Sequence, residues 1–346
     1  MLLDQCRIPV VLAPLAGGPS TPELCATVSD AGGLGFLAAG YLSASELATR
    51  IDRTRSLTSR PFGVNLFVPG TYAESSPVET YAQRLAREAE RAGVRLGEPA
   101  WEDDDWAAKL DLLADSSVAV VSFTFGCPSP EDVARLKRSH SEVWVTVTTV
   151  DEARQAEDAG ADCLVVQGSE AGGHRGGFTD DPDGLGLLAL GQLVRTSTSV
   201  PLIATGGIMT GGGLAAALAA GARAGALGTA FLRCPEAGTS SAHQEALERD
   251  DRPTALTRAF TGRLARGIRN RFLDEHTDAA PTAYPQVHHV TAPLRAHGRS
   301  IGDADLVNLW AGQAYALASD LPAAEIVHRV ATEARTALEH ARQLLD

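Results

Sequence analysis

The chain has 346 residues, of which 44% are hydrophobic and 21% are charged, a balance typical of a globular protein. Its formal net charge of −13 argues against a nucleic-acid partner, because phosphate backbones are bound by basic faces. Glycine interrupts the longest apolar stretches, which are too short to span a membrane. The first residues lack a cationic region followed by an apolar core, so we expect no secretory signal and a cytoplasmic location.

Short apolar runs alternate with helical patterns over the first 235 residues. Thr21, Ser43 and Ser129 carry N-cap signals for three of the helices. Nearly continuous apolar strands between helices are typical of parallel strands covered on their outer face. Eight such units predict an α/β fold, a closed (β/α)8 TIM barrel. The predicted strands cover residues 10–13, 34–38, 62–67, 118–122, 143–147, 162–166, 200–204 and 225–228.

The remaining segments predict additions to a barrel of residues 1–235. The region near 74–115 is long and mostly helical, and we interpret it as an insertion. Residues 236–322 are polar with helical stretches and turns, which indicates a smaller, mostly helical cap domain that contacts substrate. Residues 323–346 have the pattern of an amphipathic helix that returns to the barrel. The five cysteines lack metal-ligand spacing, so we expect no metal site and buried thiols in a reducing compartment.

One histidine stands out because of the glycines around it. Residues 167–177 (QGSEAGGHRGG) follow the sixth predicted strand, and the C-terminal ends of barrel strands carry the chemistry of such folds. An isolated histidine is more often a surface or core residue. The glycines around His174 instead favour an acid–base group beside a bound cofactor. The histidines of the cap, His243, His288 and His289, are expected to be exposed to solvent.

Two glycine turns follow the seventh and eighth predicted strands, at 205–208 (TGGI) and 228–230 (GTA). Many barrels hold a phosphate at this place with backbone N–H groups and a helix N-terminus. Each turn alone could be no more than a tight turn, but the pair favours phosphate binding. Neither turn is a P-loop, and no GxGxxG motif follows the first strand, so we reject a dinucleotide-binding fold.

Polar side chains end two of the predicted strands. Asn65 and Gln167 each either satisfy neighbouring backbone or read the edge of a ligand ring, and their shared position favours a ligand. Glu170 either orients His174 or is solvated. A basic run in the cap fits a solvated face better than a substrate clamp. Its members are Arg263, Arg266, Arg269 and Arg271.

Together these segments resemble the nitronate monooxygenase family, formerly called 2-nitropropane dioxygenases. In the barrel the matching segments are APLAGG at 13–18, AGGLG at 31–35, FGVN at 62–65, residues 167–177, GGI at 206–208 and GTAFL at 228–232. In the cap they are FTGR at 260–263, RGIRN at 266–270 and WAGQ at 310–313. The resemblance spans nearly the whole chain. Leu15 stands where the family often has methionine, an apolar exchange near the expected cofactor.

The resemblance implies FMN bound non-covalently at the barrel mouth, with His174 as the catalytic histidine. Gly207, Gly228 and Thr229 would hold the phosphate. His174 would deprotonate a neutral nitroalkane, or stabilise the charge of a nitronate when protonated. The implied flavin contacts are Ala13, Pro14, Asn65, Gln167, Gly172, Gly206, Gly207, Ala226, Leu227, Gly228 and Thr229.

The implied activity is oxidation of alkyl nitronates by O2 to carbonyl compounds and nitrite, with nitroalkanes as further candidate substrates. The alternative is a flavin-dependent enoyl-acyl-carrier-protein reductase, which would use NAD(P)H on the same barrel with a similar glycine–histidine segment. A flavin-free barrel lyase or isomerase for a phosphorylated metabolite ranks lower, as does a non-catalytic flavin-binding protein. The implied partners are a small nitro or nitronate substrate and O2. The physiological substrate and the oligomeric state, a homodimer included, stay open.

Overall fold

A computed structural model describes residues 1–345, and Asp346, the last residue of the predicted C-terminal helix, lies outside the described residues. All strands of the first 235 residues except β7 are parallel neighbours in one sheet. The strands are β1 (Val10–Leu12), β2 (Gly35–Ala38), β3 (Phe62–Phe67), β4 (Val120–Thr124), β5 (Glu142–Val147), β6 (Cys163–Gln167), β7 (Gly173–His174), β8 (Leu202–Thr205) and β9 (Ala224–Leu227).

The eight-stranded sheet closes on itself between β1 and β2. Its hydrogen-bonded order is β1-β9-β8-β6-β5-β4-β3-β2, and a parallel bridge joins Val11 to Leu34. The Leu12 N–H donates to the Leu34 carbonyl at 2.9 Å, and the Leu34 N–H donates to the Val10 carbonyl at 3.0 Å. The predicted (β/α)8 barrel is therefore confirmed. Closure brings the C-terminal ends of all eight strands to one mouth.

The helices of the same region follow the predicted alternation. Thr21, Ser43 and Ser129 each accept a hydrogen bond from a backbone N–H of the helix they precede, which confirms the predicted caps. Among residues 1–345, no helix has the length and apolar character needed to cross a membrane. The helices are α1 (Pro22–Asp30), α2 (Ala44–Leu57), α3 (Ser75–Ala92), α4 (Trp106–Ser116), α5 (Pro130–Arg138), α6 (Val150–Asp158), α7 (Leu187–Ser197) and α8 (Gly211–Ala219).

Before the last helix, the chain after β9 forms three helices and two strands of a small sheet. The helices are α9 (Ser241–Arg249), α10 (Arg271–His276) and α11 (Gln286–Ile301), and the strands are β10 (Thr254–Thr257) and β11 (Ala265–Ile268). β11 pairs antiparallel with β10 on one side and with β7 on the other. Helix α3 packs against α11. The sequence analysis missed this sheet, because strands of four residues with arginine and glycine show no clear alternation. The domain boundary at residue 235 stays a prediction.

Short 3-10 helices complete the secondary structure. The first lies at the start of the chain, where Leu2 and Leu3 join the buried residues of the barrel interior. Phe36 and Trp144 pack there with ring centroids 5.5 Å apart, so the barrel is filled rather than hollow. The 3-10 helices are Leu2–Gln5, Thr229–Phe231, Thr277–Ala279 and Tyr315–Leu317.

The last helix, α12 (Ala323–Leu345), lies against α8 and α1 on the barrel wall. Its buried face includes Val327 and Val330. Helix α8 approaches α12 so closely that a Cβ atom on Gly211 would lie 2.5 Å from the Val330 carbonyl oxygen. The Gly211 N–H also donates to Glu333 Oε2 at 2.8 Å. Only glycine fits at this crossing without moving one of the helices.

Two alanine substitutions test this close approach. We expect Gly211→Ala to lower the free energy of unfolding by about 1–3 kcal/mol, because a methyl group would overpack the helix crossing. Gly212→Ala is the matched control, because its residue is exposed and the nearest atom to an added Cβ lies 3.8 Å away. Urea denaturation of both variants measures the difference. Equal stability would show that the crossing does not require glycine.

Candidate active site

A cavity of about 430 Å³ lies between the barrel mouth and the cap. The predicted site residues that line it are Ala13, Pro14, Asn65, Gln167, Gly172, His174, Gly206, Gly207, Ala226, Gly228 and Thr229. Leu227 does not line it: its side chain is 1% exposed and belongs to the apolar layer beneath the helices. Successive side chains of a strand point to opposite faces, so Ala226 faces the cavity and Leu227 faces away.

Gln167 fixes the histidine segment against the strand that precedes it. Its Nε2 donates to the His174 carbonyl at 3.1 Å, and its Oε1 accepts from the Gly176 N–H at 2.8 Å. On the other side, β7 pairs with β11, and the Arg175 N–H donates to the Leu264 carbonyl at 2.8 Å. His174 is therefore part of a two-residue strand held between barrel and cap, and not in a free loop.

A segment of the cap, residues 310–313, forms hydrogen bonds with the barrel mouth close to the histidine segment. The Gly312 N–H donates to Thr229 Oγ1 at 3.0 Å, and the Gln313 N–H donates to the Glu170 carbonyl at 3.0 Å. The Glu170 carboxylate accepts from the Leu187 N–H at 2.9 and 3.0 Å, at the start of α7. Glu170 therefore caps a helix. The interpretation that it orients the imidazole was wrong, because the ring of His174 contacts Thr261 instead, whereas the Glu170 side chain is half-buried and keeps some contact with solvent.

The imidazole of His174 has a defined protonation state. Its Nε2 lies 2.9 Å from Thr261 Oγ1, and that hydroxyl donates to the Arg263 carbonyl at 3.2 Å. Since the hydroxyl has one proton, we assign the hydrogen between them to Nε2, which leaves the lone pair on Nδ1. Burial, followed by the charges of Arg263 and Arg295, lowers the pKa of His174 to about 3. The ring is neutral at neutral pH.

Aromatic rings surround the imidazole, and two of the cavity's aromatic residues have strained backbones. Phe125, Tyr284 and Trp310 have ring centroids 5.5, 5.8 and 5.6 Å from that of His174. Phe125 follows β4 with φ of 78°, and Tyr41 follows β2 with φ of 70°. A left-handed conformation costs a non-glycine residue roughly 1–2 kcal/mol, and such strain concentrates at functional sites. The sequence carries no signal for these backbone angles, so the analysis missed both residues.

The histidines of the cap are not exposed, so that prediction was wrong. His243 is 6% exposed, His288 stacks on Tyr41 with centroids 4.1 Å apart, and both line the cavity. His289 is half-buried near Glu102. Burial lowers the pKa of His243 to about 4 and that of His288 to about 2. The reason is tertiary: the polar cap folds back over the barrel mouth.

Two of the four arginines in the basic run are not part of a solvated face. Arg263 lies 4.0 Å above the Phe125 ring and donates to the Arg175 carbonyl at 3.3 Å. Arg266 is 8% exposed and donates to the Ser169 carbonyl at 3.1 Å. These two side chains support the histidine segment. Two others pair with carboxylates: Arg271 binds Glu88 through two bonds of 2.9 Å, and the exposed Arg269 pairs with Asp274.

The glycine turns present free hydrogen-bond donors to the cavity. Gly206 and Gly207 have φ of 118° and 68°, a backbone that favours glycine. Within residues 1–345, the N–H groups of Gly206, Gly207 and Gly228 donate to no other group. Converging free N–H groups next to a helix start suit a phosphate. Asn65 donates to Ser122 Oγ at 2.9 Å, and its Oδ1 stays available as an acceptor.

The sequence model of the nitronate monooxygenase family matches residues 2–333. A probable nitronate monooxygenase of Staphylococcus aureus strain Newman is 37% identical over 342 residues, covering 96% of each chain. Among solved structures, a nitroalkane oxidase from Streptomyces ansochromogenes is 49% identical with a TM-score of 0.96, over 100% of this chain and 99% of that one. FabK from Thermotoga maritima is 26% identical with a TM-score of 0.78, over 99% and 98%.

The buried neutral histidines predict that the protein loses stability in acid. In the unfolded chain the pKa of a histidine is near 6.5, whereas burial lowers the pKa of His243 to about 4 in the fold. The unfolded chain therefore binds the extra proton first. The stability that this residue contributes is present above pH 6.5 and is lost as the pH falls toward 4.

We expect His243→Gln to flatten the dependence of unfolding free energy on pH between 6.5 and 4. The slope should fall by up to about 1.4 kcal/mol per pH unit, the contribution of one proton. Urea denaturation at several pH values measures the slope. His340→Gln is the control, because His340 is exposed on α12. An unchanged slope in His243→Gln would contradict the buried neutral state.

Proposed function

Because this chain belongs to the nitronate monooxygenase family and is an oxidoreductase, we propose that it oxidises alkyl nitronates with O2 to carbonyl compounds and nitrite, using non-covalently bound FMN. One observation carries the proposal. A single cavity of about 430 Å³ brings together the free N–H groups of two glycine turns and the neutral imidazole of His174. A cofactor phosphate and a reacting group therefore have places in the same site.

The residues present fit FMN. The free N–H groups of Gly207 and Gly228 would hold the phosphate, because such donors favour a dianion. Asn65 Oδ1 would accept from a ring N–H, since its amide nitrogen is already used by Ser122 and Thr124. The cavity size falls in the range of cofactor sites. When bound, FMN would accept electrons from the substrate and pass them to O2.

His174 favours a substrate that has already lost its proton. A general base works best when its pKa is near the working pH. Burial and two arginine charges hold the pKa of His174 near 3, so its Nδ1 is a weak base toward a carbon-bound proton. A nitronate needs no such proton removal, whereas a nitroalkane does. The same low pKa argues against a protonated imidazole that stabilises the charge of a nitronate.

The cage around His174 limits the access of water. Phe125, Tyr284 and Trp310 surround the ring, and the guanidinium of Arg263 covers the outer face of Phe125. Exclusion of water strengthens the electrostatic interactions inside a site and suppresses side reactions of unstable species. The cap, which supplies Arg263, Tyr284 and Trp310, would therefore have a chemical role in addition to its structural one.

An anaerobic stopped-flow experiment tests the proposed function against the reductase alternative. Purified protein is mixed with propyl-2-nitronate or with NADH and NADPH, and flavin absorbance is followed. We expect the nitronate to bleach the flavin faster than either nicotinamide does, because the chain belongs to the nitronate monooxygenase family. Chromatography of the released flavin identifies it as FMN. Faster bleaching by NADH or NADPH would favour the reductase, and a colourless protein that FMN cannot reconstitute would favour a flavin-free enzyme.

His174→Asn separates proton removal from cofactor binding. We expect turnover of neutral 2-nitropropane to fall, but by less than the roughly 10²- to 10⁴-fold that a general base usually contributes, because a base with a pKa of about 3 is poorly matched to neutral pH. FMN affinity should stay within a few-fold, and turnover of the nitronate should fall much less. Steady-state kinetics and flavin fluorescence titration measure these quantities, with His340→Gln as the control. Equal turnover of nitropropane by wild type and variant would remove His174 from the reaction.

A further inference from the structure

Arg295 is a buried cation without a carboxylate partner among the described residues. It lies on α11, is 6% exposed and lines the cavity. Its Nε donates to Thr291 Oγ1 at 3.1 Å, and its Nη2 donates to the His288 carbonyl at 2.8 Å. Both partners are neutral. The Nη1 nitrogen donates to no group within residues 1–345, so two N–H donors remain on a charge that is otherwise costly to bury.

The charged residues that line the cavity are positive, although the chain as a whole is negatively charged. In the part of the chain that the structure describes, no aspartate or glutamate lines the cavity, although the net charge is −13. Arg299 lines it beside Arg295. The groups whose charges act on Arg295 are Tyr41, Arg299 and Tyr284, none of them a carboxylate. Burial lowers the pKa of Arg295 to about 10, so its guanidinium stays charged at neutral pH.

This cation lies in a different part of the mouth from the glycine turns. His288, one hydrogen bond from Arg295, stacks on Tyr41, which follows β2. Gly207 and Gly228 follow β8 and β9, and β1 separates β2 from both in the order of the barrel strands. The free N–H groups there would hold the phosphate of the proposed cofactor. The charge of Arg295 is nevertheless felt at His174, whose pKa it helps to lower.

We propose that Arg295, with Arg299 beside it, is the anion-binding residue for the substrate, and that it selects the nitronate over the neutral nitroalkane. This inference rests on the proposed function. A nitronate carries its negative charge on two oxygens, and the free Nη1 group of a buried guanidinium can donate a charge-assisted hydrogen bond to one of them. His174 is neutral and cannot supply this charge. Arg295 therefore binds the anion, while the uncharged imidazole contacts the reacting part of the molecule.

Binding of an unreactive analogue tests the proposal without turnover. Isobutyrate carries a planar, two-oxygen anionic group on the same branched three-carbon skeleton as propyl-2-nitronate, and isobutyramide is its neutral counterpart. Isothermal titration calorimetry of the holoenzyme gives the affinity for each. We expect wild type to prefer isobutyrate at least about 10-fold, and Arg295→Met to lose about 10- to 100-fold in isobutyrate affinity, the range of hydrogen bonds to charged groups. Isobutyramide affinity should not change.

Matched variants keep the test decisive. Arg269→Met makes the same exchange at an exposed arginine outside the cavity and should bind isobutyrate like wild type. Arg295→Lys keeps the charge but loses the planar fork, so we expect about 10-fold weaker isobutyrate binding. If Arg295→Met does not fold, as judged by circular dichroism, Arg295→Lys carries the test. Unchanged isobutyrate affinity in the folded variant would overturn the proposal.

A second readout separates the substrate from the cofactor. The ratio of kcat/KM for propyl-2-nitronate to that for 2-nitropropane should fall about 10- to 100-fold in Arg295→Met. If the variant instead loses affinity for FMN but not for riboflavin, and binds isobutyrate normally, then Arg295 serves the cofactor phosphate and the proposal is wrong. If wild type fails to oxidise the nitronate yet loses isobutyrate binding on Arg295→Met, the proposed function fails while the anion site stands.

Discussion

The antiparallel pairing of β7 with β11 is the contact on which the site depends. It joins a two-residue strand that leaves the barrel to the central strand of the cap sheet. On the barrel side, the Gln167 side chain forms hydrogen bonds of 3.1 and 2.8 Å to the backbone of the same segment. Without this double attachment the imidazole of His174 would sit on a flexible glycine-rich loop. With it, the residue keeps one orientation beneath a ring of aromatic side chains.

The cavity contains a neutral histidine and, separately from it, positively charged arginines. The cap excludes water from His174, and the surrounding arginines keep that ring neutral. Arg295, together with Arg299, also makes the cavity lining positive in a protein whose net charge is −13. A neutral base and a separate cation suit a substrate that arrives as an anion, because the site need not generate the charge that it stabilises. Burial is thus the common cause of both properties.

The barrel could be predicted from the sequence, but the burial of the cap residues could not. Apolar strands of four to six residues between capped helices have strong local signals, and Thr21, Ser43 and Ser129 cap their helices as predicted. In the cap, polarity was taken as exposure. Arg263 instead stacks on Phe125, and His243 is buried, since a polar surface that folds over a cavity becomes its lining. Leu227 belongs to the run 226–229 for which the family resemblance implies flavin contacts, and its side chain faces away from the cavity because alternate side chains of a strand face opposite ways.

The sequence by itself determined the closed barrel and the cluster of glycines and His174 at its mouth, because strand periodicity, caps and turn residues act over a few residues. Tertiary structure alone decided the protonation state of that histidine, the strained backbones of Tyr41 and Phe125, and the unpaired charge of Arg295. Each of these depends on groups far apart in the chain. Thr261 lies 87 residues from the imidazole that it contacts, and no local pattern encodes such a pair.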